Sequence, residues 1–203
     1  NSPIDTVLAH GHVSPVTAYL FYNSAPLGLL YIAAVLELRG ERVAVVDAAA
    51  EQLDIAGTVA RAEGERPDLI GISATTVVFE SALALARALK RAMPNVPIVL
   101  GGWHVTVLPD HAMSHDCFDY GVIDEGEYTM AELVDVFRGT RTAAQVRGIV
   151  YREEGRLVFT EPRPKSRNLD ELPFPARHLL APDLYQPIPI DEHGTPKFAM
   201  VSS

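Results

Sequence analysis

Three hydroxyl side chains stand at or just after the end of one apolar segment, residues 69–74. Ser73, Thr75 and Thr76 occupy these positions, immediately before a stretch with a helical pattern. Hydroxyl groups at such a place can donate to a phosphate or accept from a ligand amide. The alternative is that one of them caps the helix, which needs a single side-chain oxygen. The sequence leaves both interpretations open.

A second group of candidates follows the apolar segment at residues 97–100 and reads Gly101-Gly-Trp-His104. Two residues without a Cβ allow a large flat ligand to approach the backbone closely, although two glycines are also typical of a plain tight turn. The indole of Trp103 could stack on such a ligand, and the imidazole of His104 could contact it. We therefore take Gly101, Gly102, Trp103 and His104 as candidate binding residues.

Acidic residues form a third group after the apolar segment at residues 120–123. Asp124, Glu125 and Glu127 surround Gly126 there. Their carboxylates could act as acids or bases, but the first turn of any helix also favours acidic side chains because of the helix dipole. We include Glu125 and Gly126 among the candidate binding residues.

Two histidines, His10 and His12, follow the first apolar segment, residues 6–10. An extended loop would point them in opposite directions, and no cluster of His, Cys and carboxylate residues at a metal-like spacing accompanies them. No metal site is predicted from this spacing. The other five histidines are His104, His111, His115, His178 and His193, and only His104 stands at a candidate position.

The elements that must position these residues alternate from residue 4 to about 138. Short segments rich in Val, Ile and Leu are apolar on both faces, as in a parallel sheet that helices cover on both sides. This alternation predicts an α/β fold with a doubly wound, five-stranded parallel sheet in the order 2-1-3-4-5. Ligands bind outside the carboxyl ends of the strands in such sheets, which is where the candidates fall. The predicted strands are residues 6–10, 42–47, 69–74, 97–100 and 120–123.

Helices are predicted between these strands from apolar residues spaced three and four apart. Gly40 stands where a glycine ends the first helix, and Gly126 and Gly139 flank the last one. The predicted helices cover residues 27–38, 53–63, 79–93, 106–116 (a short one containing Pro109) and 127–138.

After Gly139 the pattern changes. Residues 147–152 and 156–161 flank Glu153-Glu154-Gly155, which predicts a β-hairpin. Residues 161–203 then contain 8 of the 15 prolines, which indicates an extended connector. The final run, residues 198–203, looks like a strand with no turn after it, as in a truncated chain. We therefore expect an α/β domain at 1–139, a hairpin at 140–161 and a proline-rich linker at 162–203.

Composition excludes several functions. The 203 residues carry a net charge of −9, so no footprint for nucleic acid or an anionic membrane is expected. The longest apolar run, residues 27–36, is half the length that spans a bilayer, and no signal peptide is evident. Cys117 is the single cysteine, so it forms no internal disulfide and alone holds no iron–sulfur cluster. A reducing, cytoplasmic setting is expected.

Common motifs for other ligands are missing. The first predicted strand is not followed by G-x-G-x-x-G, and neither G-x-x-x-x-G-K-[ST] nor G-x-S-x-G occurs in the sequence. Dinucleotide-binding, P-loop and α/β-hydrolase functions therefore lose support.

Five segments together resemble the N-terminal half of cobalamin-binding radical S-adenosylmethionine enzymes, and their order extends over nearly the whole chain. They are Pro26-Leu-Gly-Leu-Leu-Tyr-Ile-Ala-Ala, Pro67-Asp-Leu-Ile-Gly-Ile-Ser-Ala-Thr-Thr76, Val99-Leu-Gly-Gly-Trp-His-Val-Thr106, Asp119-Tyr-Gly-Val-Ile-Asp-Glu-Gly-Glu127 and Leu169-Asp-Glu-Leu-Pro-Phe-Pro-Ala-Arg177.

The resemblance implies a flavodoxin-like (Rossmann-like) cobalamin-binding domain, in which Ser73, Thr75, Gly101 and Gly102 match binding positions of the family. It also implies a following barrel of the same polypeptide, whose CxxxCxxC motif holds a [4Fe–4S] cluster that cleaves S-adenosylmethionine. That motif is absent here, so the resemblance implies a cofactor-binding part of a methyltransferase or related radical enzyme, acting on a small molecule or tetrapyrrole.

One departure concerns the lower axial ligand of cobalt. Cobalamin modules of mutases and methionine synthase use D-x-H-x-x-G, whereas the corresponding stretch here is His10-Gly-His-Val-Ser-Pro15. A ligating histidine usually needs a carboxylate to orient its other nitrogen, so His12 is not expected to bind cobalt. The alternative to the whole interpretation is a flavodoxin-like domain that binds a flavin or nucleotide, or a protein partner, without catalysis, because fold alone does not fix function.

Overall fold

A computed structural model describes residues 3–10, 25–166 and 168–185 of the chain. These residues form one sheet of seven strands, flanked by helices on both faces. The strands are β1 (Asp5–His10), β2 (Arg42–Asp47), β3 (Leu69–Ser73), β4 (Ile98–Gly101), β5 (Tyr120–Val122), β6 (Ile149–Glu153) and β7 (Arg156–Phe159).

The strand order is β2-β1-β3-β4-β5-β6-β7, and all pairs from β2 to β5 are parallel. This confirms the predicted doubly wound sheet and its order 2-1-3-4-5. The count of five strands was too low, because β6 pairs antiparallel with β5 and brings β7 with it. The hairpin covers what would otherwise be an unpaired edge of the parallel sheet.

The turn of that hairpin consists of Glu154 and Gly155, which have φ angles of 47° and 79°. Positive φ at both positions is the mark of a type I′ turn, whose twist matches the right-handed twist of the two strands. The glycine predicted near this turn therefore fills a position that requires a left-handed backbone.

Six helices are present in the described part of the chain. They are α1 (Leu27–Leu38), α2 (Ile55–Glu65), α3 (Phe79–Ala92), α4 (Trp103–Val107), α5 (Pro109–Met113) and α6 (Glu127–Phe137). None of them combines the length and apolar character that crossing a membrane requires.

The helix α1 ends as its sequence predicts. Gly40 has φ +82°, its N–H donates to the carbonyl of Glu37, and the N–H of Glu41 donates to the carbonyl of Leu36. These two bonds form a Schellman motif, which satisfies carbonyls that the end of the helix would leave free.

The prediction of one short helix at 106–116 was wrong, because α4 and α5 are separate. Leu108, between them, has φ −133° and ψ 55°. A residue before proline is kept out of the helical region by the proline ring, and Pro109 then starts α5, where its missing N–H has no intrahelical partner to lose.

Alternate residues of the strands enter two cores, one on each face of the sheet. Helices α1 and α6 cover the face that carries Leu8, Val45, Leu69 and Val99. Helices α2 to α5 cover the other face, which carries Val7, Val46, Ile70, Ile72 and Leu100. Burial on both faces explains why the strands are continuous apolar runs in the sequence.

A buried ion pair connects the termini of three secondary-structure elements. The side chain of Glu41 has no exposed area, pairs with Arg138 at 2.6 Å and accepts the N–H of Ile4 at 2.7 Å. The start of β1, the entry to β2 and the end of α6 are thereby held together.

The proline-rich connector, residues 160–185, lies along the domain where the structure describes it. Arg163 donates to the Thr129 hydroxyl at 2.8 Å, and the buried Ala176 donates its N–H to the carbonyl of Leu30 at 3.0 Å. At its far end, the Tyr185 hydroxyl donates to Asp47 at 2.9 Å, at the carboxyl end of β2. The connector therefore crosses the outside of α6 and α1 and returns to the carboxyl edge of the sheet.

Candidate functional site

A cavity of about 190 Å³ opens at the carboxyl edge of the sheet, between the sheet and helices α1 and α6. Register explains which strand residues reach it, since Leu8, Gly71 and Val99 are neighbours across β1, β3 and β4, as are Ser73 and Gly101 two residues further on. The full lining is Leu8, Gly28, Leu29, Ile32, Gly71, Ile72, Ser73, Val99, Gly101, Gly102, Val122, Asp124, Glu125, Gly126, Glu127 and Met130.

Glycines keep this cavity open. A Cβ on Gly101 would meet nothing closer than the carbonyl of Ile72, 4.0 Å away, and a Cβ on Gly28 would meet nothing within 4 Å. A side chain at either position would therefore project into unfilled space on the cavity wall. The cavity exists partly because these two positions carry no side chain.

Gly102 has a different role. Its φ is +90°, and a Cβ there would lie 2.7 Å from the carbonyl oxygen of Ala74. The N–H of Ala74 donates to Gly101, and the N–H of His104 donates back to Ala74. Only glycine permits this close approach of the loops that follow β3 and β4.

The hydroxyl of Ser73 is the polar group of β3 that faces the cavity. It has no hydrogen-bond partner among the described residues, so it is available to a ligand. Thr75 and Thr76 are exposed and do not line this cavity. Neither caps α3, because a 3-10 turn at Thr76–Val78 intervenes and Thr75 makes no side-chain cap. The capping interpretation is therefore wrong for these residues, and their contact with a ligand stays a prediction.

Acidic groups lie at the mouth of the cavity. Asp124 has φ +61° and donates its N–H to the Thr106 hydroxyl at 3.1 Å, while Glu125 accepts the N–H of Ser166 from the connector at 2.9 Å. Burial raises the pKa of the Glu127 carboxyl, and repulsion from Glu125 adds to the increase. The mouth is thus rich in hydrogen-bond acceptors above an apolar interior.

Trp103 belongs to an adjoining cavity of about 280 Å³, which shares Gly102, Asp124 and Glu125 with the first. Its indole is 68% exposed and presents a flat apolar surface at the same edge of the sheet. Lys165 of the connector also lines this second cavity.

His104 does not line the first cavity, contrary to its selection as a candidate that contacts a ligand. Helix α4 begins at Trp103 and turns the next side chain towards the opposite face of the sheet, where the His104 ring stacks on Phe79 with ring centres 3.7 Å apart. The residue is only 2% exposed. Its ring contacts Thr76 and His111 instead.

Of the two histidines at and after the end of β1, the structure describes the backbone of His10 only. His10 is the last residue of β1 and pairs in register with Asp47 and Ser73, whereas His12 lies outside the described residues. Within the described ranges, no group of three or more His, Cys, Asp or Glu residues could hold a metal ion.

Several lining residues were not selected from the sequence, namely Leu8, Gly28, Leu29, Ile32, Gly71, Ile72, Val99, Val122, Asp124, Glu127 and Met130. The available signal was alternation along the strands, since Gly71 and Val99 stand two residues before Ser73 and Gly101 and therefore share their face.

Comparison with known proteins shows similarity to cofactor-binding proteins. A family model described as a B12 binding domain matches residues 13–134. An uncharacterized methyltransferase of Pyrococcus horikoshii is 38% identical over 165 residues, which are 79% of this chain and 35% of that protein. An anaerobic magnesium-protoporphyrin IX monomethyl ester cyclase of Synechocystis sp. is 32% identical over 148 residues, which are 71% of this chain and 30% of that protein. The chain thus spans about a third of the length of these relatives.

A solved structure shares the fold. It is the cobalamin-dependent S-adenosylmethionine radical enzyme OxsB with aqua-cobalamin and S-adenosylmethionine bound, with a TM-score of 0.74 and 18% identity. The similarity covers 86% of this chain and 24% of OxsB.

Proposed function

Because the chain belongs to the B12-binding domain family, we propose that its glycine-lined cavity and the neighbouring loops hold cobalamin for a larger radical S-adenosylmethionine enzyme. The observation that carries this proposal is the cavity itself, which lies at the carboxyl edge of a doubly wound sheet, where ligands of this fold bind.

The cavity suits the nucleotide tail of cobalamin, which ends in a flat benzimidazole ring. Its interior walls are the apolar side chains of Ile32, Val99 and Met130, and the glycines at 28 and 101 leave room between sheet and helices. Apolar pockets with a few convergent polar groups are the usual form of cofactor sites. We assign the tail to this cavity.

The corrin ring then lies over the carboxyl edge. It is broad, flat and fringed with side-chain amides, whose NH₂ groups are donors. The acidic mouth at Asp124 and Glu125 offers acceptors for them, the Ser73 hydroxyl offers a further polar contact, and the Trp103 indole provides a flat wall. The same proposal gives Gly102, Gly126, Thr75 and Thr76 positions around the ring or the phosphate.

We place the catalytic chemistry of the larger enzyme in residues outside this chain. Bound cobalamin supplies a cobalt centre that can carry a methyl group, and the protein's part here is to bind and orient the cofactor. A radical-type [4Fe–4S] cluster needs three thiolates, whereas this sequence has only Cys117, and burial raises the pKa of its thiol. We therefore propose that a barrel of the same polypeptide provides the cluster and the S-adenosylmethionine site, in a reducing cytoplasmic setting.

Methyl transfer, or a related radical reaction, is the activity proposed for that enzyme. A relative that matches 79% of this chain carries the name methyltransferase, and the second relative is a cyclase that acts on a tetrapyrrole. Because the matched region is about a third of each relative, the reaction and the substrate of the larger enzyme remain part of this proposal.

Reconstitution tests the proposal directly. The chain is incubated with hydroxocobalamin, desalted, and its absorbance spectrum compared with that of a sample treated with flavin mononucleotide. We expect cobalamin to stay bound near one equivalent and the flavin to be lost. Retention of the flavin with loss of cobalamin would instead support the flavodoxin-like alternative.

A further inference from the structure

Three imidazoles gather beside Phe79, on the face of the sheet opposite the cavity. His104 stacks on Phe79, and His111 meets the His104 ring edge-on, with centres 5.2 Å apart. His115 in turn meets His111 edge-on at 5.6 Å. We call His104, His111 and His115 the histidine cluster. The proposed cofactor site does not use it.

A hydrogen bond joins the rings of His104 and His111. The Nε2 of His104 lies 3.1 Å from the Nδ1 of His111, and a neutral imidazole has one donor and one acceptor nitrogen. The pair therefore shares a single proton between these two atoms. When both rings are charged, two donors face each other, and the hydrogen bond is replaced by repulsion.

The surroundings oppose charging of His104 and His115. The Nε2 of His115 is buried without a hydrogen-bond partner among the described residues. Glu80 on α3 and Asp116 favour the charged forms, whereas Arg87 on α3 opposes the charge on His115. Burial outweighs the two carboxylates and lowers the pKa of His104, with a further decrease from His111, and burial likewise lowers the pKa of His115.

The same pair is connected to the cofactor edge through the backbone. His104 follows Gly101, Gly102 and Trp103 directly, and its N–H donates to the carbonyl of Ala74 in the neighbouring loop. Its Nδ1 also lies 3.4 Å from the hydroxyl of Thr76 in that loop. The buried ring thus anchors the segment that presents two glycines and the exposed indole to the cavities.

We propose that the His104–His111 pair is a proton-sensitive anchor that positions the loop Gly101–Trp103, so that acidification releases the loop and weakens cobalamin binding. The effect on cobalamin rests on the proposed function, whereas the movement of the loop does not. His104 and His111 are positioning residues, because they act through the loop and not by contact with the cofactor.

The direction of the pH effect follows from the lowered pKa of the buried His104 ring. A histidine whose pKa is lower in the anchored state contributes fully above its ordinary pKa of about 6.5, and the contribution is lost as the pH falls below that value. At pH 5.5, one such proton lowers the ratio of anchored to released loop by up to about tenfold relative to pH 7.5.

Trp103 reports on the loop without any ligand, because it is the single tryptophan of the chain. The full chain is titrated from pH 8 to pH 5 while the emission of Trp103 and its quenching by iodide are recorded. We expect a transition below pH 6.5. In His111→Asn, the amide oxygen can accept from the Nε2 of His104 in either charge state, so the repulsion is removed and the transition should be smaller than in the parent.

His178→Asn is the matched control, since His178 is an exposed histidine that pairs with Glu37 on α1. This variant should titrate like the parent chain. The absence of a transition in the parent, or the same transition in His111→Asn, would overturn the proposal. Circular dichroism checks that the variants fold, and long-range ¹⁵N–¹H spectra of the parent give an independent measure of whether one shared proton links His104 and His111.

Cobalamin affinity completes the test. The dissociation constant of the parent should rise by up to about tenfold per linked proton between pH 7.5 and pH 5.5, and that of His111→Asn should rise less. If Trp103 titrates as expected while the parent's affinity is constant, the link to the cofactor is refuted. If cobalamin does not bind at pH 7.5, the proposed function fails, and the fluorescence result still decides whether protons move the loop.

Discussion

Replacing Gly101 by valine is the sharpest test of where the cofactor's tail lies. The position has an ordinary strand backbone, and an added Cβ meets no atom closer than 4.0 Å, so the branched side chain projects into the cavity. Valine also suits a strand, and we expect the free energy of unfolding to change by less than about 1 kcal/mol. The tail, however, would lose its place beside β4.

The size of the loss follows from the area of the ring. A buried aromatic group of this kind removes about 150 Å² or more from water, which at about 25 cal/mol per Å² corresponds to about 4 kcal/mol. Since 1.4 kcal/mol is a factor of ten in affinity, Gly101→Val should weaken cobalamin binding by about 10²- to 10³-fold.

The assay compares two ligands by absorbance titration. Cobinamide has the corrin ring but lacks the nucleotide tail, so its affinity should be equal in the parent and in Gly101→Val. Gly64→Val is the control, because Gly64 is exposed on α2 with nothing within 4 Å of its Cβ position. Unchanged cobalamin affinity in Gly101→Val would refute the assignment of the tail to this cavity. Gly102→Val is a poorer probe, because a Cβ there meets backbone at 2.7 Å.

Four further predictions concern stability and activity. Arg138→Met should lower the free energy of unfolding by about 3–5 kcal/mol in urea titrations, because the buried Glu41 loses its cation; a loss below 1 kcal/mol would contradict this. Gly121→Ala should cost about 1–3 kcal/mol in the same measurement, with unchanged cobalamin affinity, because a methyl group there would lie 2.7 Å from two stiff valine side chains. Burial and the neighbouring Asp47 raise the pKa of Tyr185, so Tyr185→Phe should be less stable by about 1–2 kcal/mol below pH 10, and the difference should shrink as the pH rises above 10. Treated with iron, sulfide, a reductant and S-adenosylmethionine, the chain should form no 5′-deoxyadenosine, because it has one cysteine where a cluster needs three; formation of that product would place catalysis within these residues.

The parallel strands could be predicted from the sequence because both of their faces are buried. The strand at Arg42–Asp47 has the predicted bounds, β1, β3 and β5 differ by one residue at one end, and β4 is displaced by one residue at both ends. The attachment of β6 to β5 could not be predicted, since pairing between distant segments leaves no local periodicity. The hairpin itself was predictable from Gly155, which needs a positive φ.

The candidate site was predictable in its location and only partly in its members. Ser73, Gly101, Gly102, Glu125 and Gly126 line one cavity, as expected for residues after neighbouring parallel strands. The orientation of His104 was not predictable, because it depends on where α4 begins and on the positive φ of the preceding loop. The apolar walls from α1 and α6 were not identified because helix packing onto a sheet is a tertiary property. The prediction about His12 falls outside the described residues.

The course of the connector has a kinetic consequence. A flexible chain of this length would let its far end explore a large volume, and two units joined by it would meet at an effective concentration that falls steeply with tether length. Here Ala176 and Tyr185 are fixed to the domain, so the described part of the connector stays bound to it as far as Tyr185. The chain therefore leaves the described domain beside the carboxyl end of β2, at the edge where the cavity opens. Breaking the Tyr185–Asp47 bond would lengthen the tether and slow that encounter, even if the cofactor stayed in place.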